Sequence, residues 1–183
     1  MDSRAATQPP QTRGYEQSAP PSRPPTTRAG LVEWTGLVAL AVTAGIADQI
    51  TKSIATRSLV LGQPVRLLPV LDLLRIHNTG VAFNQLTGAQ PLVIALEIGA
   101  IVWMTVFFRR SGARHGLFPI AIGLLLGGAT SNLVDRLRDG HVTDFIHVHN
   151  FPVFNLADSF IVVGVGLLLF GLAAHERRTQ APA

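Results

Sequence analysis

The chain has 183 residues, of which 48% are hydrophobic and only 14% are charged. Because a soluble domain usually carries about 25% charged residues, this composition favours a membrane protein. Cysteine is absent, which excludes disulfide bonds, a thiol nucleophile and a cysteine-ligated metal. The net charge is +4, but the basic residues lie at the ends of apolar segments rather than in one patch, so nucleic acid is not an expected partner.

The N-terminal segment is rich in proline and arginine and has almost no large aliphatic side chains. Such a segment cannot bury enough apolar surface to offset the entropy lost on ordering, so we expect a disordered cytoplasmic tail over residues 1–29. The rest of the chain divides into an expected membrane domain, residues 30–176, and a short cytoplasmic tail, residues 177–183.

Four long apolar runs lie within the membrane domain. They cover residues 31–47, 91–108, 116–134 and 159–174, and only Glu33 and Glu97 interrupt them. A helix rises about 1.5 Å per residue and needs roughly 17–25 residues to cross a bilayer, so each run with its flanks is long enough. Four buried core helices would need more polar surface around them than this chain has. The sequence therefore predicts an all-α membrane protein with four transmembrane helices.

The distribution of lysine and arginine predicts the orientation of these spans, because cytoplasmic loops are enriched in both residues. Nine basic residues fall on the side of the two termini and the second connection: Arg4, Arg13, Arg23, Arg28, Arg109, Arg110, Arg114, Arg177 and Arg178. Six fall on the other side: Lys52, Arg57, Arg66, Arg75, Arg136 and Arg138. We therefore expect both termini to be cytoplasmic.

The connection between spans 1 and 2, about residues 56–89, is long for a four-helix protein. Its aliphatic and β-branched residues alternate imperfectly and lead to the turn-like sequence HNTG. This pattern predicts a small extracytoplasmic β-element, a sheet or hairpin, on the membrane surface. Within HNTG, Asn78 and Gly80 suit a tight turn in which the asparagine side chain bonds nearby backbone and the glycine takes a positive φ.

The outer end of span 1 carries two opposite charges, Asp48 and Lys52. They are four residues apart, so they share one helix face and can form an ion pair. Two interpretations stay open here. The residues are either a surface ion pair that caps the span or a charge pair beside a reaction site.

Span 3 combines small residues with polar ones. Gly123, Gly127 and Gly128 allow a neighbouring helix to approach closely. Asn132 and Asp135 follow on the same helix face and would point into the bundle, where an ionisable group suggests a functional site. A structural polar network that anchors the span at the interface explains the same residues equally well.

Two aspartates flank the last connection, Asp144 in VTDF and Asp158 in FNLAD at the start of span 4. Each has a plain explanation, since Asp158 suits a helix N-cap and Asp144 can pair with Arg136 or Arg138. Five large apolar residues surround the two carboxylates in sequence: Phe145, Phe151, Phe154, Leu156 and Phe160. If the carboxylates meet in that low dielectric they share a proton, so that one acts as a base toward water while the other polarises a peptide carbonyl. The spacing alone does not establish this chemistry.

Five motifs occur in order within about residues 31–175: DQITK, NTGVAF, GGATSNLVDR, VTDF and FNLADS. Together they make this region resemble the lipoprotein signal peptidase family, the bacterial type II signal peptidases. The resemblance implies an intramembrane aspartic endopeptidase of the bacterial cell membrane, working near the extracytoplasmic face without a cofactor. It would cut the signal peptide from diacylglyceryl-modified prolipoproteins just before the lipidated cysteine. Membrane lipids and globomycin-type inhibitors are further expected partners, and a monomer is the expected state.

The same resemblance assigns roles to individual residues. Asp144 and Asp158 would form the catalytic dyad. The residues expected to line or support the substrate pocket are Asp48, Lys52, Asn78, Gly128, Asn132, Asp135, Arg136, Asn155 and Ala157. This sequence departs from the family pattern at Val81, where an alanine is common, and in a rather short link between the dyad aspartates, which contains extra histidines.

Two other functions are compatible with parts of the sequence. His147 and His149 would share one face of an extended segment, with Asp144 and His141 nearby, which suggests a metal site. A small transporter or scaffold whose carboxylates relay protons is the non-enzyme alternative, and Glu97 within span 2 is its best support. Without such a role, we expect Glu97 to be packed and protonated.

Overall fold

The computed structural model describes residues 30–80, 90–111 and 117–180. Its elements in chain order are α1 (Leu31–Ser58), β1 (Pro64–Leu68), β2 (Leu71–Asn78), α2 (Gln90–Ser111), α3 (Leu117–Asp139), β3 (Val142–Val148) and α4 (Leu156–Gln180). All four helices are long and apolar enough to cross a membrane, which confirms the predicted architecture. The predicted tail of residues 1–29 and the variant position Val81 lie outside the described residues.

Helix α3 is the centre of the bundle. It packs against α1, α2 and α4, whereas the other three helices expose most of their apolar surface to the surroundings. Two adjacent glycines explain how α3 accommodates two neighbours at one level. A Cβ atom at Gly127 would lie 2.6 Å from the carbonyl oxygen of Ala41 in α1, and one at Gly128 would lie 2.5 Å from that of Ala157 in α4. The predicted close approach at the span 3 glycines is therefore confirmed.

The apolar core lies in the half of the bundle away from the strands. Its buried members include Leu37 from α1, Phe108 from α2 and Ile122 from α3. The Phe108 ring is completely buried and meets the Trp34 ring edge-on, with 4.9 Å between the ring centroids. The other half of the bundle, where α1 and α3 end and α4 begins, carries most of the buried polar side chains. We call it the sheet end.

A three-stranded antiparallel sheet in the order β1-β2-β3 covers the sheet end. Strands β1 and β2 form the predicted β-element between spans 1 and 2, and β3 completes the sheet from the connection between spans 3 and 4. Asn78 pairs with Val142 and His77 pairs with Thr143 across β2 and β3. Because side chains alternate along a strand, Asn78 and Asp144 lie on one face of the sheet while His77 and Thr143 lie on the other.

Candidate active site

Asp144 lies on strand β3 and is almost fully buried, with 1% of its surface exposed. The Nδ2 amide of Asn78 donates a hydrogen bond to its Oδ2 at 2.9 Å, and Nδ2 of Asn155 donates to its Oδ1 at 2.7 Å. The pKa of Asp144 is raised to about 6, chiefly by burial and also by the charge of Asp158, while the hydrogen bonds from Asn78 and Asn155 oppose this shift. The predicted pairing of this aspartate with an arginine is wrong, because asparagine amides hold its carboxylate.

Asp158 lies in the first turn of α4 and takes part in a capping box. Its backbone N–H donates to Oδ1 of Asn155 at 2.9 Å, and its own Oδ2 accepts the backbone N–H of Asn155 at 3.2 Å. The N-cap of α4 is therefore Asn155, and the prediction that Asp158 is the N-cap is wrong by three residues. Asn132 of α3 donates to the remaining oxygen of Asp158 at 2.9 Å. The positive end of the helix dipole favours a negative charge at this position.

A single fully buried side chain, Asn155, connects the two aspartates. Its Nδ2 donates to Asp144 at 2.7 Å and to Oδ1 of Asn132 at 3.2 Å, while its Oδ1 accepts from the backbone of Asp158. Each aspartate thus receives two N–H donors. The structure brings Asp144 and Asp158 together around one asparagine, although they belong to different elements, β3 and α4.

The turn after β2 fixes the orientation of Asn78. The backbone N–H of Gly80 donates to Oδ1 of Asn78 at 2.8 Å, and Gly80 has a φ of 78°. This is the tight turn that the sequence predicts. Because the turn uses the amide oxygen, the amide nitrogen faces Asp144.

Lys52 is the centre of a buried charge cluster beside this pair. Its Nζ lies 2.6 Å from Asp48 and 2.8 Å from Asp135, and it donates to Oδ1 of Asn132 at 2.8 Å. The predicted ion pair of Asp48 and Lys52 is confirmed, but its interpretation as a surface pair is wrong, because both side chains are almost fully buried. The cluster joins α1, which carries Asp48 and Lys52, to α3, which carries Asn132 and Asp135.

Asp48 fixes the start of α4 from the neighbouring helix. Its Oδ1 accepts the backbone N–H of Ala157 at 2.8 Å, and its Oδ2 accepts the hydroxyl of Ser131 at 2.7 Å. Gln49 in turn donates to Oδ1 of Asp135 at 2.7 Å and to the Ser131 hydroxyl. Sequence reasoning missed Gln49 and Ser131. The one available signal was a glutamine within an apolar span, since a serine among small residues carries none.

Arg136 extends this polar region toward α2. Its Nη1 donates to both carboxylate oxygens of Glu97, at 2.9 and 3.0 Å, and both side chains are mostly buried. Glu97 is packed, as expected, but it contacts Arg136 of α3, a partner that the sequence did not indicate. The Nε donor of Arg136 is enclosed and has no hydrogen-bond partner among the described residues, and it lies close to Gly80.

The histidines of the last connection contact a different aspartate. His149 Nε2 lies 3.0 Å and His147 Nδ1 lies 3.7 Å from Oδ2 of Asp72 on β2. Within residues 30–80, 90–111 and 117–180, no group of three or more histidine, aspartate or glutamate side chains is arranged to hold a metal ion. The histidines thus pair with Asp72 instead of joining Asp144.

Comparison with known proteins adds an independent observation. Residues 40–174 match the family model described as signal peptidase (SPase) II. A lipoprotein signal peptidase of Dehalococcoides mccartyi is 46% identical over 138 residues, which cover 72% of this chain and 85% of that protein. One from Symbiobacterium thermophilum is 35% identical over 149 residues, covering 79% and 98% of the two chains.

Two solved structures share the fold. One is a bacterial membrane enzyme determined by the in meso method at 2.3 Å resolution, with a TM-score of 0.74 and 27% identity over 86% of this chain and 98% of that one. A second such enzyme, at 1.9 Å resolution, gives a TM-score of 0.71 and 31% identity over 80% and 96% of the chains. At these coverages both likenesses extend over most of the chain.

Proposed function

The chain belongs to the signal peptidase II family, and from that premise we propose that it is an aspartic endopeptidase with Asp144 and Asp158 as its catalytic pair. Membership confirms the resemblance predicted from the five motifs. It makes the protein a multi-pass peptidase of the bacterial membrane that removes signal peptides from prolipoproteins. The catalytic type, the residues and the position of the cut are our proposal.

The observation that carries the proposal is that Asn155 donates to both carboxylates, which lie in different electrostatic surroundings: its side-chain amide donates to Asp144 and its backbone N–H to Asp158. The raised pKa of Asp144 favours its protonated form, whereas the N-terminus of α4 favours a negative charge on Asp158. This asymmetry supports a division of roles in which Asp144 is the acid and Asp158 the base.

In the proposed reaction the two aspartates carry out all the proton transfers and return to their starting protonation states. Asp158 takes a proton from a water molecule as the water oxygen bonds to the scissile carbonyl carbon, and Asp144 gives its proton to the carbonyl oxygen. The resulting diol intermediate then collapses. Asp158 passes its new proton to the leaving nitrogen as the C–N bond breaks, and Asp144 recovers a proton from a diol hydroxyl.

We propose that the substrate is a diacylglyceryl-modified prolipoprotein, cut before its lipidated cysteine, and that globomycin-type peptides inhibit the reaction. An apolar signal helix would lie in the membrane beside the bundle and present its end to the carboxylates. The basic-residue bias supports cytoplasmic termini and an extracytoplasmic sheet end. If the scissile bond is held at the extracytoplasmic membrane surface, the two carboxylates must lie at the outer end of an apolar span to reach it.

The remaining polar residues are proposed to position this pair and the substrate. Asn78, Asn132 and Asn155 orient the carboxylates, and Asp48, Lys52, Asp135, Gly128 and Ala157 hold α1, α3 and α4 together around them. Arg136, oriented by Glu97, would use its enclosed Nε donor to bind a substrate carbonyl. That donor supports the assignment because a buried donor without a partner is costly.

Replacement of either catalytic aspartate tests the proposal. Asp144→Asn and Asp158→Asn are each expected to reduce cleavage of a lipidated precursor by at least about 10²–10⁴-fold, because an amide can neither accept nor deliver the proton. Membrane insertion and protein level should stay as in the parent. Glu33→Gln, in the first turn of α1 at the opposite end of the helix from Asp48, is the matched control and should cleave normally.

The substrate proposal needs its own comparison. The same assay on lipidated and unlipidated precursor, with and without globomycin, should show cleavage only of the lipidated form and loss of it with the inhibitor. Normal cleavage by both asparagine variants would show that Asp144 and Asp158 are not the catalytic pair. Equal cleavage of the lipidated and unlipidated precursors would instead be consistent with a peptidase but would exclude specificity for the lipid.

A further inference from the structure

A polar pocket of about 460 Å³ lies on the face of the sheet opposite Asp144. The ends of α1 and α3 and the strands β2 and β3 surround it. Four of its lining side chains are cations and two are carboxylates: Lys52, Arg57, Arg75, Arg138, Asp135 and Asp139. These six side chains carry a net formal charge of +2, and Lys52 is already paired with Asp135 and with Asp48 outside the pocket, so Arg57, Arg75 and Arg138 are the cations that face it. Four of the six basic residues of the sheet end thus line one pocket.

Arg75 and the histidines contribute hydrogen-bonding groups to the pocket, and Arg75 also contributes positive charge. Nη1 of Arg75 donates to the carbonyl of Thr56 in the last turns of α1 at 3.0 Å, and its enclosed Nε has no hydrogen-bond partner among the described residues. The His77 and His141 rings stack with 3.7 Å between centroids. Burial lowers the pKa of His77, and the neighbouring His141 and Arg75 lower it further, while Asp139 opposes them. The pocket thus has donors and positive charge available for an anion.

An apolar groove of about 720 Å³ adjoins this pocket. It runs between α1 and α3 and reaches α2, and Gln49 and Ser53 line both spaces. From Ser53 the groove extends along α1 to Trp34, a helical distance of about 28 Å at 1.5 Å per residue. The hydrocarbon core of a bilayer is about 30 Å thick, so half of the groove matches an acyl chain in one leaflet.

We propose that the pocket and groove together bind one anionic phospholipid from the leaflet at the sheet end. Its phosphate would lie among the arginines, and an acyl chain would follow Ile50, Ile46 and Val42 along α1. Arginine suits this role because its fork of donors matches phosphate oxygens. The pocket lies on the face of the sheet opposite Asp144, and the diacylglyceryl group of the proposed substrate has no phosphate to bind there. Contact with Lys52 and Asp135 links its occupancy to the buried charge cluster.

Lipid binding to the full-length protein in detergent tests the proposal. The probe is dioleoylphosphatidylglycerol, with its apparent Kd measured by native mass spectrometry against dioleoylphosphatidylcholine. We expect the anionic lipid to bind at least about tenfold more tightly. Arg57→Gln combined with Arg138→Gln should weaken that binding about tenfold or more. Arg66→Gln, an exposed arginine of β1 outside the pocket, is the matched control and should leave the Kd within about twofold.

Two further arms separate the headgroup from the chain. Ile46→Trp fills the groove without changing any charge and should also weaken lipid binding. Cleavage of the precursor by each variant shows that the variant is folded. Free glycerol 3-phosphate at millimolar concentration should not displace the lipid, because it lacks the chains. Equal affinity for the two lipids, displacement by the free phosphate, or a wild-type Kd in the double arginine variant would overturn the proposal.

Discussion

Asn155 uses every hydrogen-bonding group of its side chain at the candidate active site. The oxygen accepts from the first turn of α4, and the two N–H groups donate to Asp144 and to Asn132. An aspartate at this position could not donate, and a leucine could do neither. An asparagine is therefore the residue that can orient a carboxylate on β3 and cap α4 at the same time.

The hydrogen bond from Asn78 to Asp144 predicts a change in the pH profile. Hydrogen bonds to a carboxylate favour its ionised form, so Asn78→Ala should raise the pKa of Asp144 above its present value of about 6. The proposed reaction needs the proton on Asp144, and kcat/KM should fall as pH rises through that pKa. The falling limb of kcat/KM should therefore move to higher pH in the variant, even though its maximum is lower.

Val65→Ala, at an exposed position of β1, is the control for this measurement and should leave the limb unchanged. Initial rates on lipidated precursor between about pH 5 and 9 give both profiles. A limb that stays in place or moves to lower pH in Asn78→Ala would show that Asp144 does not carry the proton.

At the scale of single elements, the sequence predicted packing better than it predicted helix ends. Gly127 and Gly128 identified the close faces of α3, because only small residues allow backbones that near. The start of α4 was assigned to the wrong residue. Asparagine and aspartate are equally good N-caps, so FNLAD contains two candidates, and only the position of the first turn distinguishes Asn155 from Asp158. The partner of Glu97 was not predicted, because Arg136 comes from another helix.

The glycine contact of α3 with α4 gives a prediction about stability. Gly128→Ala places a methyl group against the Ala157 carbonyl, so the helices must move apart at a cost of about 1–3 kcal/mol. Thermal unfolding in detergent should show a lower midpoint, and cleavage should fall because Ala157 also bonds Asp48.

Gly166→Ala on α4 is the matched control, since a Cβ atom there meets nothing within 4 Å. It removes a glycine from the interior of a helix, which should leave stability unchanged or raise it slightly. If the two variants unfold at the same temperature, the close approach at Gly128 is not important for stability.

At the scale of the whole molecule, the four spans could be predicted from apolar run length, but the assembly of the site could not. Apolar runs depend on local composition alone. The pairing of β2 with β3 joins two connections that α2 and α3 separate in the sequence, and its register places Asn78 and Asp144 on one face. No local pattern sets that register, and only the collective motif resemblance indicated that these residues meet.

The absence of cysteine allows a direct test of the proposed orientation. Single cysteines can be introduced as Leu61→Cys, in the turn after α1 at the sheet end, and as Arg110→Cys, at the opposite end of α2. An impermeant maleimide applied to spheroplasts should label the first variant, because that end is expected to be extracytoplasmic. It should label the second only after lysis, and the reverse result would invert the topology.

The ion pair of Asp48 and Lys52 also has a consequence for biogenesis. Because the two residues are one turn apart on α1, this helix can enter the bilayer as an electrically neutral unit before any other span arrives. Asp135 has no such internal partner on α3 and takes its cation from α1. Asp48 and Asp135 thus share one lysine, and Asp48 also accepts the backbone N–H of Ala157, so the polar end of α1 joins the first span to both the third and the fourth.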